Sequence, residues 1–260
     1  MAPGITDIVV RDLHDIEELQ ALARLFGELW REPDGALPIN AHLMKALSMS
    51  GNYVAGAFVA SSAGAGARGG QDLGALVGGA VAWATPPPGR ELHSHITGVA
   101  RPFQRQHVGQ ALKMHQRRWA VHHGFEDITW TFDPLLRRNA AFNLLTLGAR
   151  VESYAENVYG QMHDVLNAGE VSDRLFVRWH LSDPCPVPPV DTPDDRARLV
   201  ATPEDAEALR ATDPDLAAQW RLRLREQLGR ALASGSRVIG LTKDGSYVLA
   251  PGDETGGQAG

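Results

Sequence analysis

Features that mark several common protein classes are scarce in this sequence. The 260 residues contain a single cysteine, Cys185, which excludes an internal disulfide framework and a multi-cysteine metal site and indicates a reducing compartment. The net charge of −6 argues against a nucleic-acid-binding surface, which shows as a basic excess. The N-terminus has no basic segment followed by a long apolar run, and the most apolar stretch, 73–84, falls short of the ~20 residues that span a membrane. Composition therefore predicts a cytoplasmic protein that binds neither nucleic acid nor membrane.

Hydrophobic spacing predicts strands and helices that alternate along most of the chain. Alternating apolar residues indicate strands, and apolar residues at helical spacing between them indicate helices. Over residues 5–181 the predicted order is β α α β β β α β α β β. Strand–helix–strand units in the middle favour a mixed sheet with parallel pairs. The predicted class is α/β (α+β), a mixed central β-sheet flanked by helices.

A proline-rich stretch divides the chain. Four prolines fall within six positions of 184–189, and this density forces an extended linker. The predicted organisation is a domain over 1–182, a linker over 183–193, an appendage of helices and a hairpin over 194–251, and a disordered tail over 252–260. The appendage and tail together, at about 65 residues, are too small to be stable alone, so we expect the appendage to dock on the first domain or on a neighbouring subunit of a homodimer.

The segment 91–124 carries the strongest functional signal, because a strand leads through a glycine-bearing basic turn into a helix. The turn consists of Gln106, His107, Val108, Gly109, Gln110 and Ala111. Glycine lets the backbone approach a ligand closely, and the helix directs its unpaired N–H groups and positive dipole end to the same place. Arg101 and Arg105 flank the turn, and guanidinium groups pair well with phosphate oxygens. The segment predicts a pyrophosphate site.

This segment resembles the GNAT superfamily of acyl-CoA-dependent N-acyltransferases, whose cofactor loop reads Gln or Arg, two residues, Gly, one residue, Gly or Ala. The matching positions here are Gln106, Gly109 and Ala111. The resemblance covers residues 5–181 in the order of elements. It implies the GNAT fold and acyl-CoA as co-substrate, with no metal.

The resemblance also implies which positions contact the cofactor. The backbone of Val99, at the end of the preceding strand, would pair with the acyl and pantetheine amides, and residues 105–111 would hold the pyrophosphate. Asn139, at the start of the helix after the next strand, would contact the pantetheine arm. Phe142 on that helix is included in the predicted cofactor site.

Two histidines on one strand are candidates for the general base. His93 and His95 are two residues apart, so their rings face the same side about 6.6 Å from each other, and Glu91 shares that face. A histidine with a pKa near neutrality suits the removal of a proton from an ammonium group before attack on a thioester. Two alternatives remain open: core histidines held by hydrogen bonds, and a metal-binding His-x-His pair whose third ligand we cannot place.

The proton return to the departing thiolate has no obvious donor. In GNAT enzymes a tyrosine commonly lies four residues before the glycine that closes the helix after the fifth strand. Counting back from Gly148 gives Leu144. Tyr154 and Tyr159 on the following strand are predicted substitutes, with packing as the structural alternative.

Three charged residues are candidates for substrate contacts. Asp133 ends the fifth strand, where it could orient a histidine or hold the substrate amine, or could merely end the strand before Pro134. Arg221 and Arg225 lie one turn apart on a helix, opposite the predicted apolar stripe, where they could bind the carboxylate of an acidic acceptor or of a succinyl group. The alternative is that Arg221 and Arg225 lie on a solvated helix face and bind no ligand.

The predicted function is transfer of an acyl group, acetyl or succinyl, from acyl-CoA to a primary amine of a small metabolite such as an amino acid, by direct attack. The absent tyrosine leaves a non-catalytic acyl-CoA-binding or sensing protein as an alternative. A metal-dependent hydrolase that uses His93 and His95 is a third.

Overall fold

The computed structural model describes residues 7–60, 73–86, 88–191 and 194–252. The predicted glycine-rich connection over 61–72 and most of the predicted disordered tail, 253–260, lie outside these residues. The chain divides into two compact units, residues 1–128 and 129–260. This division differs from the predicted boundary at 182, which stays a prediction.

The described residues of the first unit form four antiparallel strands, two long helices and a shorter one. In chain order these are β1 Ile8–Asp12, α1 Ile16–Trp30, α2 Ala41–Met49, β2 Tyr53–Ala60, β3 Leu73–Ala84, β4 Glu91–Val99 and α3 Val108–His122, with a 3-10 turn at Arg101–Phe103 before α3. Each of β1 to β4 pairs with the next strand in sequence. The following strand, β5 Asp127–Phe132, contains the division between the units.

The second unit contains the remaining elements. They are α4 Arg137–Ala141, a π-helical turn at Phe142–Thr146, β6 Arg150–Ala155, β7 Arg174–His180, β8 Arg198–Val200, α5 Ala206–Thr212, α6 Pro214–Leu224, a second π-helical turn at Arg225–Gly229, α7 Arg230–Ala233, β9 Arg237–Leu241 and β10 Tyr247–Ala250. The seven-stranded sheet has the order β1-β2-β3-β4-β5-β7-β6, and a three-stranded sheet has the order β8-β10-β9. The mixed sheet flanked by helices is therefore confirmed, with the small additional sheet near the C-terminus.

Helix α1 is amphipathic and buries one face in the core of the first unit. Leu19, Leu22 and Phe26 are fully buried on it. The N-cap of this helix is Asp15. Asp15 accepts from the backbone N–H of Glu17, whereas Asp12 is still the last residue of β1.

The two long helices α1 and α3 cover opposite faces of β3. A Cβ placed on Gly79 would lie 2.3 Å from Leu22 of α1, so the close approach of that helix requires glycine. A Cβ placed on the preceding Gly78 would lie 3.3 Å from Leu112 of α3. Because successive residues of a strand face opposite sides, residues 78, 80 and 82 face α3 and residues 79, 81 and 83 face α1.

A β-bulge interrupts the pairing of β3 with β4. Val81 is opposite Ile96 while Ala82 is opposite Ser94, which leaves His95 as the extra residue. A bulge of this kind bends the strand and changes the direction of a side chain. Because the extra residue is His95, the bulge distorts β4 at one member of the predicted histidine pair.

In the second unit, the residues beyond the proline-rich stretch pack on residues 129–182. The Tyr247 hydroxyl donates to the carbonyl of Pro134 at 2.9 Å, and Arg137 Nε donates to Thr202 Oγ1 at 3.2 Å. The predicted hairpin is present as β9 and β10, since the tight turn at Asp244 and Gly245 is encoded locally.

Candidate functional site

The turn before α3 is exposed and has unusual backbone dihedral angles. Arg105 and His107 both adopt left-handed conformations, with φ of 63° and 62°. A non-glycine residue in this region costs of order 1–3 kcal/mol, and such residues cluster at functional sites. His107 is the N-cap of α3, and no side chain caps this helix end. The first N–H groups of the helix are therefore available to an anion.

Side chains around this turn fix its shape. Gln104 Nε2 donates to the carbonyl of Val99 at 3.1 Å, and Gln106 Nε2 donates to the carbonyl of Pro102 at 2.8 Å. Arg101 and Arg105 are exposed, and within the described part of the chain neither forms an ion pair. The sequence prediction placed both beside the turn, and their contact with an anion stays a prediction.

Gly109 lies in the first turn of α3, and the fold itself does not require glycine there. A Cβ at this position would have one neighbour within 4 Å, Val99 Cγ2 at 3.9 Å, which is ordinary van der Waals contact. Gly109 has no left-handed φ. Glycine within a helix is about 0.8–1.0 kcal/mol less favourable than alanine, so the chain carries a local cost that its own packing does not explain.

A buried polar layer lies between β4 and α3. Lys113 of α3 is 4% exposed and Gln116 is fully buried. Lys113 Nζ donates to Ser94 Oγ at 2.7 Å and to Gln116 Oε1 at 3.1 Å. Burial lowers the pKa of Lys113 to about 7, because the charged form loses its hydration.

Two atoms of this layer have no hydrogen-bond partner among the described residues. They are Thr97 Oγ1 and Gln116 Nε2, both buried. Thr97 is opposite Ala80, Ser94 is opposite Ala82 and Val99 is opposite Gly78, so all three face α3. Buried polar atoms in native proteins are nearly always paired with protein, water or a ligand.

The predicted bases lie on the other face of β4, together with an aromatic residue that sequence reasoning missed. Trp83 pairs with His93 across the strands, and its ring centroid lies 5.4 Å from that of His93 and 4.7 Å from that of His95. Burial, and then the positive charge of Lys113, lower the pKa of His93. Burial, and then His93, lower the pKa of His95. Both imidazoles are therefore neutral at neutral pH, as a proton acceptor requires.

Lys113, Ser94, Thr97 and Trp83 were absent from the sequence prediction. A signal for the buried layer exists, because Leu112, Gln116 and Ala120 are spaced as one helical face and Gln116 stands where an apolar residue is expected. Nothing in the sequence indicates the burial of Lys113, which depends on how closely α3 approaches β4.

The predicted substrate residues of the second unit lie in a buried ion cluster. Asp133 accepts from Arg210 and from Arg221, the latter at 3.2 Å, and both arginines also donate to Glu170. Asp133, Arg210 and Arg221 are 5%, 3% and 4% exposed as side chains. Burial alone would raise the pKa of Asp133, but Arg221 and Arg210 hold it below its ordinary value.

The helix face that carries Arg221 differs from the prediction. The sequence pattern placed Arg221 and Arg225 opposite an apolar stripe, whereas the structure buries Arg221 together with Ala217 and Leu224 on α6. The buried carboxylate of Asp133 and the partly buried carboxylate of Glu170 make this burial tolerable. Arg225, partly exposed, donates to both oxygens of Asp173 at 2.7 Å.

The two predicted tyrosines occupy different environments. The Tyr154 hydroxyl donates to Asp173 at 2.6 Å, and burial followed by this bond raises the pKa of Tyr154 above its ordinary value. Tyr159 is 54% exposed, its hydroxyl lies 3.2 Å from Thr131 Oγ1, and the Arg174 guanidinium stacks over its ring. A phenol with a raised pKa is a poor proton donor, which counts against Tyr154. Tyr159 is the more exposed of the two.

The remaining predicted cofactor residues lie on and after α4. Asn139 belongs to α4 and Phe142 begins the π-helical turn. Leu144, at the position of the expected tyrosine, is buried in that turn. The predicted helix over 139–147 thus begins two residues earlier and ends as a π-helical turn before Gly148, whose φ is 72°.

The described ranges contain neither a metal-binding cluster nor a membrane-spanning helix. No group of three His, Cys, Asp or Glu side chains there is placed to hold a metal ion. Of the helices in 7–60, 73–86, 88–191 and 194–252, none has both the length and the apolarity to cross a membrane.

No protein-family model matches the sequence, and no curated protein matches it either. Several solved structures do match this chain. YncA of Salmonella typhimurium, a candidate acetyltransferase solved with its cofactor acetyl-CoA, is 14% identical with a TM-score of 0.51 over 73% of this chain and 99% of that one. A GNAT superfamily phosphinothricin acetyltransferase from Sinorhizobium meliloti, in complex with acetyl-CoA, is 15% identical with a TM-score of 0.50 over 70% and 93%.

The chain has the GNAT fold. An N-acetyltransferase from Staphylococcus aureus Mu50 gives the same result, with 11% identity and a TM-score of 0.50 over 68% of this chain and 100% of that one. Likeness at such identities concerns the fold and not the reaction. Within this GNAT fold, the first unit brings together Val99, the 105–111 turn and the polar layer on one face of β4, and the histidine pair on the other.

Proposed function

We propose that this chain is an acyl-CoA-dependent N-acyltransferase whose cofactor pyrophosphate is held by the 105–111 turn. The observation that carries the proposal is Gly109. A helical glycine with room for a side chain, next to two left-handed residues and an uncapped helix end, is explained by close approach of an anionic ligand. The GNAT fold supports CoA as that ligand.

Strand β4 carries candidate contacts for both substrates. The pyrophosphate would lie at the turn, and the thioester would lie beside the backbone of Val99 at the end of β4. His93 and His95 lie further back on the same strand, and the amine would pass them to reach the thioester. The backbone N–H of Val99 would donate to the carbonyl oxygen as it gains negative charge, and CoA when bound supplies the activated acyl group.

His93 is the proposed base for the amine, with Glu91 and His95 as neighbours on its face. The amine arrives as an ammonium group, and a neutral imidazole can accept its proton directly or through water. The lowered pKa of His93 keeps it neutral at neutral pH. Direct attack by the free amine on the thioester then needs no covalent enzyme intermediate.

We further propose acetyl-CoA as the acyl donor, with succinyl-CoA as the second choice, and an amine of a small metabolite such as an amino acid as the acceptor. Two of the fold neighbours were solved with acetyl-CoA. One of them is a phosphinothricin acetyltransferase, which supports a small-molecule acceptor. Asn139 and Phe142 remain proposed pantetheine contacts on the strength of the GNAT resemblance.

The decisive experiment replaces Gly109 by alanine and measures CoA binding by titration calorimetry. We expect the variant to fold and to lose CoA affinity by about tenfold or more, equivalent to roughly 1.4 kcal/mol, since the new methyl group occupies the surface that the phosphate approaches. Unchanged affinity would mean that the cradle does not bind CoA.

Charge reversal tests the rim of the cradle separately. The double variant Arg101→Glu and Arg105→Glu should weaken CoA binding by about tenfold or more, because guanidinium–phosphate pairs are lost. Arg24→Glu on the exposed face of α1 is the matched control and should leave affinity unchanged. Binding of acetyl-CoA without acylation of any amine in a broad panel would instead support an acyl-CoA sensor.

A further inference from the structure

A cavity of about 590 Å³ lies wholly within the second unit. Its walls come from the start of β8, the end of β10, the second π-helical turn, α7 and the loop that leads to β9. Sites for small molecules are typically cavities of about 300–1,000 Å³. Among the described residues, none of those assigned above to CoA or to the amine lines this cavity. The cavity is therefore separate from the groups of the proposed acyl transfer.

The cavity has an excess of positive charge, although the whole chain has a net charge of −6. Three arginines line it, Arg196, Arg198 and Arg230. Within the described ranges Glu226 is the only carboxylate among the lining side chains. Guanidinium groups bind carboxylates and phosphates through paired N–H donors, and a cleft lined by one sign of charge concentrates ions of the other sign. The lining therefore favours an anion.

The protein itself compensates little of this positive charge. Arg198 is exposed, and in the part of the chain that the structure describes it forms neither an ion pair nor a side-chain hydrogen bond. Arg196 Nε lies 3.7 Å from Asp194 Oδ1 at the surface, and Arg230 pairs with Glu226 at 3.2 Å, again with both side chains exposed. Exposed pairs of this kind contribute little to stability, so an anion can engage all three arginines without a large loss.

Uncharged groups complete the lining. The side chains of Gln227 and Ser236 line the cavity, and neither has a hydrogen-bond partner among the described residues, so an amide group and a hydroxyl are available to donate. Leu249, which pairs with Arg198 across β10 and β8, is buried and gives the cavity apolar surface together with Ala231. Apolar walls with a few polar and charged groups are typical of sites for organic ligands.

We propose that this cavity binds a small organic anion with two or more negative charges, of the kind carried by phosphate esters and polycarboxylates. Arg196 and Arg198 would pair with one anionic group from the β8 side, and Arg230 would pair with another from the helix side. Gln227 and Ser236 would donate to the remaining oxygens. The site goes beyond the proposed function, because it uses no residue of the acyl transfer and would hold its ligand without turnover.

The first test titrates pyrophosphate, citrate and acetate into the full-length double variant Arg101→Glu and Arg105→Glu, which weakens the proposed pyrophosphate site at the 105–111 turn. Calorimetry should show one saturable site for pyrophosphate or citrate. Acetate, with one charge, should bind about tenfold more weakly or less, since it engages fewer guanidinium groups. Tighter binding of pyrophosphate would identify a phosphate ligand, and tighter binding of citrate a carboxylate ligand. Absence of saturable binding of both would overturn the proposal.

Three substitutions in the same background then locate the site. Arg198→Glu should weaken binding of the preferred anion by about tenfold or more. Glu226→Gln should strengthen binding, because it removes the carboxylate of the cavity and releases Arg230. Arg24→Glu on the exposed face of α1 is the matched control for charge reversal and should leave affinity unchanged. Equal affinities in Arg198→Glu and Arg24→Glu would refute the assignment of the site.

Arg230→Gln covers the case in which Arg198→Glu does not fold, since it removes a guanidinium group from the helix side of the cavity. We expect it to weaken anion binding by about tenfold or more, and unchanged binding in the folded variant would contradict the proposal. In the otherwise wild-type chain, Arg198→Glu should bind CoA with wild-type affinity, so that failure of this site leaves the proposed function intact. A parallel loss of CoA affinity would show that the cavity belongs to the CoA site and would rule out a separate anion site.

Discussion

Each unit of this chain buries charged side chains, and the two groups respond to burial in different ways. In the second unit, Asp133 is surrounded by Arg210 and Arg221, and these charges hold its pKa below the ordinary value despite burial. In the first unit, Lys113 donates to the uncharged side chains of Ser94 and Gln116, and burial lowers its pKa to about 7. Asp133 therefore stays ionised near neutrality, whereas Lys113 can exchange its proton.

The largest expected effect comes from breaking the ion cluster. Arg210→Met leaves the buried Asp133 and Glu170 with less compensation, and removal of one partner from a buried pair costs about 3–5 kcal/mol. The free energy of unfolding, measured with urea, should fall by that amount. Arg138→Met is the control, because Arg138 pairs with Glu207 at the surface and should cost about 1 kcal/mol or less. Equal losses would show that the cluster contributes no more than a surface pair.

The second effect is a pH dependence of stability that belongs to Lys113. Its folded pKa of about 7 lies below the ordinary lysine value of about 10.4. Between these values the unfolded chain binds more protons, so the free energy of unfolding should rise with pH by up to about 1.4 kcal/mol per unit. Urea melts at several pH values should show this rise in wild type and not in Lys113→Met. Parallel curves for the two proteins would show that the lysine titrates normally.

The third effect is a loss of stability at acid pH that belongs to Asp133 in the second unit. The folded pKa of Asp133 is depressed, so its contribution to stability is present above the unfolded pKa of about 3.9 and is lost as the pH falls through the lower folded value. Arg210→Met should reduce this loss in urea melts below about pH 4, because it removes one cause of the depression. The same acid dependence in wild type and variant would mean that the arginines do not set the pKa of Asp133.

The smallest expected effect is a gain in stability from Gly109→Ala. The site has room for the methyl group, and alanine is the better helix former, so the free energy of unfolding should rise by about 0.5–1 kcal/mol. The same variant should gain stability and lose CoA affinity. The two results together would show that glycine at this position serves the ligand and not the fold. A loss of stability in urea melts would show that the helix end needs glycine for its own geometry.

Local patterns were sufficient for much of the fold. The order of strands and helices, the turn before α3 and the hairpin of β9 and β10 were all predicted, because turn residues, capping residues and hydrophobic periodicity act over a few positions. The cap of α1 is less well determined by local pattern, since Asp12 and Asp15 offer similar capping chemistry, and only the extent of β1 to Asp12 leaves Asp15 as the N-cap.

By itself, the sequence determined that a glycine-bearing turn opens α3 and that a histidine pair lies on β4, because backbone freedom and strand alternation are properties of neighbouring residues. Only the tertiary structure decided that His95 is a bulge residue beside Trp83, that Lys113 is buried against Ser94, and that Arg221 lies within an ion cluster instead of on a solvated face. The physical reason is that burial, and with it the pKa of a charged group, depends on residues distant in sequence that the fold brings into contact.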